Sequence, residues 1–167
     1  GDGDCGTTLA GAASALLRQL GQEGQEGGGL ALHCPAAAVQ QVARCVRSAV
    51  GGSSGALYDI LLTGAARRLK AGPLYDTTPQ DWADALSAGL AAVQKYGRAD
   101  RGCRTMLDAL LPARDALVAS LQAGADAATA AAAAAAAAEA GAAATRGMAA
   151  AAGRSSYVPA AVLSEVE

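Results

Sequence analysis

The chain contains no phenylalanine, one tryptophan and four tyrosines, so aromatic residues make up only 3% of it. β-Sandwiches and barrels are stocked with aromatic and β-branched side chains, and their scarcity here excludes both. Histidine occurs once, and the four cysteines, Cys5, Cys34, Cys45 and Cys103, include no Cys-x-x-Cys pair. That scatter gives neither a zinc-ligand spacing nor a disulfide framework and suits a reducing compartment. An excess of one charge is also missing. Thirteen basic against 15 acidic residues leave −2, which removes the electrostatic case for nucleic acid or an anionic membrane. No stretch reads as a signal peptide, and the alanine run near residues 127–138 lacks the leucines and valines of a membrane span. The expected location is cytoplasmic.

What is present is small. Of 167 residues, 47 are alanine and 21 glycine, and the hydrophobic share of 52% holds few bulky side chains. Elements must therefore approach closely through alanine, which favours packed helices. The length is one domain's worth. An opening in Gly-Asp-Gly-Asp without an initiator methionine points to a domain trimmed from a longer chain.

Apolar periodicity predicts six helices and no strand. The first runs from about Thr7 to Leu20, with Leu9, Ala13, Leu16, Leu17 and Leu20 on its buried stripe, and ends in the glycine-rich stretch 21–29. The second starts at Pro35, a good first-turn residue, and carries Val39, Val42, Val46 and Val50. The third spans roughly Ser54 to Lys70, with Arg67, Arg68 and Lys70 suited to a helix C-terminus. The fourth opens at Thr78-Pro79-Gln80-Asp81, a capping threonine followed by proline and an acid, with Trp82, Leu86, Leu90 and Val93 inward, and stops at Gly97. The fifth covers about Arg104 to Leu121. The sixth is the low-complexity alanine stretch from about 125 to 152, which Gly141 and Gly147 could interrupt.

Short connections favour antiparallel neighbours. In an up-down arrangement, the starts of helices one, three and five and the loop after helix six fall at one end. Those places hold Gly1 to Thr8, Gly51 to Gly55, Gly97 to Thr105 and Gly153 to Tyr157. All four combine glycine with hydroxyl or arginine side chains, and the loops at the other end do not. A helix start offers unpaired N–H groups to an anion, and glycine lets backbone approach it. Asp2 and Asp4 would repel phosphate unless a hard divalent cation lay between, as Mg²⁺ does on carboxylates and phosphate oxygens. Taken singly, Gly-Asp-Gly-Asp reads as a turn, Gly-Gly-Ser-Ser-Gly as a linker or cap and Arg154 as a surface charge. His33 reads as an exposed loop residue, Cys45 and Cys103 as buried thiols, and Trp82 as core. Their shared end is what favours an Mg-nucleotide site and phosphoryl transfer.

The segments Gly-Asp-Gly-Asp-Cys-Gly-Thr-Thr (1–8), Gly-Gly-Ser-Ser-Gly-Ala-Leu-Tyr (51–58), Gln-Lys-Tyr-Gly-Arg-Ala-Asp-Arg-Gly-Cys-Arg-Thr-Met-Leu-Asp-Ala-Leu (94–110) and Gly-Arg-Ser-Ser-Tyr (153–157) resemble the L-type, C-terminal ATP-binding domain of the dihydroxyacetone kinase and triokinase/FMN cyclase family. The resemblance runs from Gly1 to about Tyr157. It implies an all-α fold, an antiparallel up-down barrel of eight helices, of which the first and last would be missing here, and a single nucleotide-binding domain over 1–167 with low-complexity inserts near 21–29 and 127–144. It also implies two Mg²⁺ and bound ATP or ADP. Asp2 and Asp4 match two of the family's three metal-binding aspartates, the first belonging to a helix before Gly1. Cys5, Gly6, Thr7 and Thr8 match its phosphate cradle, Ser53 and Ser54 its second phosphate loop, Gly97, Thr105 and Met106 the adenine and ribose lining, and Arg154 the arginine that reaches phosphate.

The implied reaction transfers the γ-phosphoryl of ATP to dihydroxyacetone or glyceraldehyde. In the family a histidine of a separate substrate domain holds the triose; no residue of this chain matches it, so no catalytic residue is assigned. A homodimer of the full-length protein is implied, without nucleic acid or membrane. Two departures stand out: Cys103 follows Gly102 where the family commonly has aspartate, and an Asp-Pro-Gly segment expected after Tyr157 is absent. Two alternatives stay open, the second because the first aspartate and the Asp-Pro-Gly segment are missing. One is an ADP-carrying subunit of a phosphoenolpyruvate-dependent phosphotransferase system; the other is a fragment that binds nucleotide without transferring phosphate.

Overall fold

A computed structural model describes residues 5–20, 30–72 and 76–157, excepting the side chains of Cys5, Thr8, Arg154 and Ser155. The described residues are all-α and contain no strand. The helices are α1 (Cys5–Leu20), α2 (Pro35–Ala49), α3 (Gly52–Lys70), α4 (Pro79–Gly97), α5 (Leu107–Gln122) and α6 (Ala127–Ala144), followed by 3₁₀ turns at Thr145–Gly147 and Arg154–Tyr157. The chain divides into two compact units, Gly1–Gly89 and Leu90–Glu167, so the division falls within α4.

In the first unit, α2 and α3 pack together across the short link Val50–Gly51. Arg47 near the end of α2 pairs with Asp59 of α3 at 2.7 Å, as antiparallel helices require. A Cβ on buried Gly55 would overlap the carbonyl of Val50, so only glycine lets the chain reverse this tightly. The α3–α4 pair runs the same way: Arg68 bonds Asp84 at 2.6 Å, and farther along the backbone of Leu61 lies against Gly89. Buried positions here are mostly alanine, namely Ala12, Ala43, Ala66, Ala83 and Ala85, with Cys45, Val50 and Leu69.

Two expectations for this unit are corrected. The leucine stripe of α1 is not buried: Leu9, Leu17 and Leu20 are 48%, 66% and 38% exposed, and Ala12 is the residue that goes inside. The helix packs on α2, and a seam of alanine width takes a methyl group rather than a leucine. Trp82 is likewise outside the core, 45% exposed, while its neighbours Ala83 and Ala85 are buried. His33 is exposed in a turn, as read from the sequence.

The second unit holds the largest fully buried side chains, Leu90 and Val93 of α4 and Leu107 and Leu111 of α5. Helix α5 closes with Gly124 at φ 84°, the Ala125 N–H reaching the Ser120 carbonyl, a Schellman arrangement. Asp126 then caps α6, its carboxylate accepting the Thr129 N–H at 2.7 Å. That bond holds the Asp126 carboxyl below the usual carboxylate range. Helices α5 and α6 pack against each other antiparallel, the backbone of Gly141 lying against Asp108 and Ala109. Gly141 therefore does not break the helix; it is where the two backbones meet. The helix ends at Ala144 instead of running to 152, and Thr145 turns its hydroxyl onto the Ala142 carbonyl at 2.7 Å. By length and composition alone, Ala127–Gly147 reaches a membrane span, with a mean hydropathy of 1.2 that comes from alanine methyls.

Candidate functional site

The residues singled out from the sequence lie on helix starts and on one structured loop. Asp2 and Asp4 fall outside the described residues. Cys5, Gly6, Thr7 and Thr8 form the first turn of α1, where Gly6 and Thr7 are exposed and a Cβ on Gly6 would meet open space. Ser53 and Ser54 lie in the first turn of α3 and are exposed. That helix starts from Gly51 with no side-chain cap, and Gly52 has φ 66°. Leading N–H groups with no side-chain cap, beside two exposed hydroxyls, are a donor set suited to anionic oxygens.

In the second unit, Gly97 ends α4 exposed, and Thr105 and Met106, both half-buried, lead into α5. The loop between is fastened by three aspartates. Asp100 accepts from the Gln94 amide at 2.9 Å and from the Arg101 N–H at 2.8 Å. Asp115 pairs with Arg101 and with Arg114. Partial burial raises the Asp115 carboxyl, but the bonds from Arg114 and Arg101 outweigh it and leave the net shift downward.

The third aspartate, Asp108, is 4% exposed. It accepts the Gly102 N–H at 2.5 Å and the Thr105 N–H at 2.7 Å, while the Thr105 hydroxyl accepts the Leu107 N–H at 3.2 Å. Only the acid's half matches a capping box, because the threonine hydroxyl takes the Leu107 N–H and the Asp108 N–H goes to the Thr105 carbonyl at 3.1 Å. Helix α5 begins at Leu107 and not at 104 because Arg104 sits at φ 57°, which no helix accommodates. Residues 97–106 are brought together with the segment leading to Arg154, because the Ala151 N–H donates to the Cys103 carbonyl at 3.1 Å. Cys103 itself is half-buried, whereas Cys45 is buried as expected, and Cys34, Cys45 and Cys103 are all free thiols.

The sequence reading missed Asp108. Its signal was there, in the same threonine-to-aspartate spacing that marks Thr78 and Asp81, but burial of the second aspartate is not visible in a spacing. Among the described residues no three histidine, cysteine or acidic side chains group into a metal site.

Comparisons with known proteins bear on these elements. The DAK2 domain model matches residues 1–165. A putative 3,4-dihydroxy-2-butanone kinase of Solanum lycopersicum is 44% identical over 99% of this chain and 27% of its own length. The triokinase/FMN cyclase of Homo sapiens is 44% identical with the same coverage. Among solved structures, the dihydroxyacetone kinase from C. freundii in complex with AMP-PNP and Mg²⁺ is similar with a TM-score of 0.68 and 36% identity, over 87% of this chain and 24% of that one. The chain thus spans about a quarter of the length of the relatives it matches.

Proposed function

The chain belongs to the DAK2 domain family, and from that premise we propose that it is the Mg-ATP-binding part of a triose kinase. The observation that carries this reading is the likeness, at 36% identity, to a dihydroxyacetone kinase whose structure holds AMP-PNP and Mg²⁺. The uncapped start of α3, with exposed Ser53 and Ser54, supports a phosphate-binding role for that turn. Cys5, Gly6, Thr7 and Thr8 take the same role at the start of α1. Gly97, Thr105 and Met106 line the adenine and ribose, and Arg154 reaches phosphate. Asp2 and Asp4 hold the metal, with two ions expected. No catalytic residue is assigned to this chain.

Bound Mg²⁺ would neutralise charge on the transferring phosphoryl group. The protein's own part is to hold that group in line: first-turn N–H groups and serine hydroxyls fix the phosphate oxygens, and Arg154 adds positive charge where negative charge builds up. The acceptor, dihydroxyacetone or glyceraldehyde, is held by a separate substrate domain, for which the relatives' greater length leaves room. A full-length homodimer and a cytoplasmic location complete the proposal.

The test is thermal unfolding of the chain with and without Mg-AMP-PNP. Binding at a hundred times Kd adds about 2.7 kcal/mol of stability, which appears as a raised midpoint. No rise at millimolar ligand sinks the reading. Asp4→Asn must weaken the Mg-dependent part of binding; an unchanged affinity removes the metal assignment alone.

A further inference from the structure

We propose that Asp108 is a positioning residue for the nucleotide: its buried carboxylate sets the shape of the turn 102–106 that presents Thr105 and Met106. This rests on the reading above that those two residues face adenine and ribose, and it assigns a role to a side chain that touches neither ligand nor metal.

An aspartate that only started a helix would need one bond, to the Thr105 N–H. Asp108 makes a second one, to the Gly102 N–H six residues upstream. The turn that these donors bracket takes Gly102 itself to φ 82° and Arg104 to φ 57°. The glycine takes a left-handed conformation freely; the arginine does so only where the surroundings hold it there. The carboxylate bridges both ends of this unfavourable turn. It is 4% exposed, and among the described residues it has no basic partner, so backbone donors at a helix start carry its charge.

The main chain around Asp108 adds two further anchors. Cys103, between the bridged residues, accepts the Ala151 N–H, which ties the turn to the segment ending in Arg154. The Asp108 carbonyl has no helical donor of its own, because Pro112 stands four residues on and lacks an N–H; the backbone of Gly141 in α6 occupies that side. The turn, α5 and α6 therefore meet at Asp108, and the approach to Arg154 joins the same turn at Cys103.

The experiment titrates the chain with Mg-AMP-PNP and follows amide hydrogen exchange. Asp108→Asn replaces one acceptor oxygen with a donor that faces an N–H. Its Kd should rise about tenfold or more, the scale on which loss of a group that orients a contacting residue is felt. The Gly102 and Thr105 amides should lose protection while that of Leu111 keeps it. Asp108→Glu retains a carboxylate that can reach back to the Thr105 N–H, and its Kd should return to within about threefold of the parent. If the asparagine variant fails to fold, the parent decides: Mg-AMP-PNP must slow exchange at Gly102 and Thr105, and unchanged exchange overturns the proposal. A Kd equal to the parent's in a folded Asp108→Asn that has lost protection at both amides overturns it too, leaving the nucleotide reading intact. A parent that binds no Mg-AMP-PNP sinks both.

Discussion

Helices α4 and α5 are each preceded by a threonine three residues before an aspartate, and they use the pair differently. At Thr78 and Asp81 the box is complete: the Asp81 carboxylate accepts the Thr78 N–H and hydroxyl at 2.9 and 2.6 Å, and the Thr78 hydroxyl accepts the Asp81 N–H at 3.2 Å. Those bonds are exposed, Pro79 fixes the first helical residue, and among the described residues no other backbone donor bonds the acid. At Thr105 and Asp108 the carboxylate is buried and takes a second donor from a strained turn. The exposed box sets where its helix begins; the buried acid sets the shape of the turn that precedes its helix.

The comparison breaks most visibly if the two acids prove interchangeable. Asp108→Ala removes the acceptor of two N–H groups, on exposed Gly102 and half-buried Thr105, which water can partly satisfy, and hydrogen bonds to a charged group contribute roughly 1.5–3 kcal/mol. The expected loss is about 2 kcal/mol in chemical denaturation, with the m-value retained. A loss under about 1 kcal/mol, the level of an ordinary surface change, would show that the turn satisfies itself without the acid.

Next in size is Gly141→Ala. A Cβ there would overlap the Asp108 carbonyl, backbone against backbone, so α6 must move away from α5. Overpacking of that kind costs about 1–3 kcal/mol, opposed by alanine's better helix propensity of about 1 kcal/mol. The net is a destabilisation of about 1 kcal/mol, read as a lower thermal midpoint. A stabilised variant would mean that the contact has slack, and Asp108 would lose one of its anchors.

How much of this was legible in the sequence follows from side-chain size. Helices, their number and most boundaries could be read because proline, glycine and capping residues punctuate them: Pro35, Gly72, Thr78 and Gly97 all stand at or beside the observed ends. Burial could not. In a chain where alanine fills the seams, periodicity of the large residues misassigns the inside, which is how Leu17 and Trp82 came to be expected there. The loop motifs were legible as chemistry, since Gly51-Gly52-Ser53-Ser54 and Thr105-Met106 are local. Asp108 was not, because its second bond joins residues six apart through a turn whose left-handed arginine no propensity would suggest. The sixth helix is shorter than its composition predicts for a similar reason: alanine propensity continues past Ala144, but Thr145 folds its hydroxyl back and the chain leaves to pair with Cys103.

Smaller effects sharpen the exposed half of the comparison. Thr78→Ala removes the side-chain oxygen of the box and should cost about 1 kcal/mol, visible as a lowered unfolding midpoint. An equal cost from Thr105→Ala would mean that the threonines support the two helix starts alike and the acids alone distinguish them.

The smallest expected effect is one of pH. The Thr78 hydroxyl, and then its N–H, hold the Asp81 carboxyl below the usual carboxylate range. A folded value below the unfolded one contributes stability that is fully present above the unfolded pKa, about 3.9, and is lost as pH falls through the lower folded value. The α4 start should therefore loosen only below about pH 4. Trp82, the one tryptophan, follows Asp81 directly and is 45% exposed, so its emission reports on this turn. Acid should shift that emission to the red in the parent, whereas Asp81→Asn, with an amide that does not titrate, should give a flat response over the same range. An acid shift of equal size in the variant would assign the change to another group and leave the exposed box without an electrostatic role.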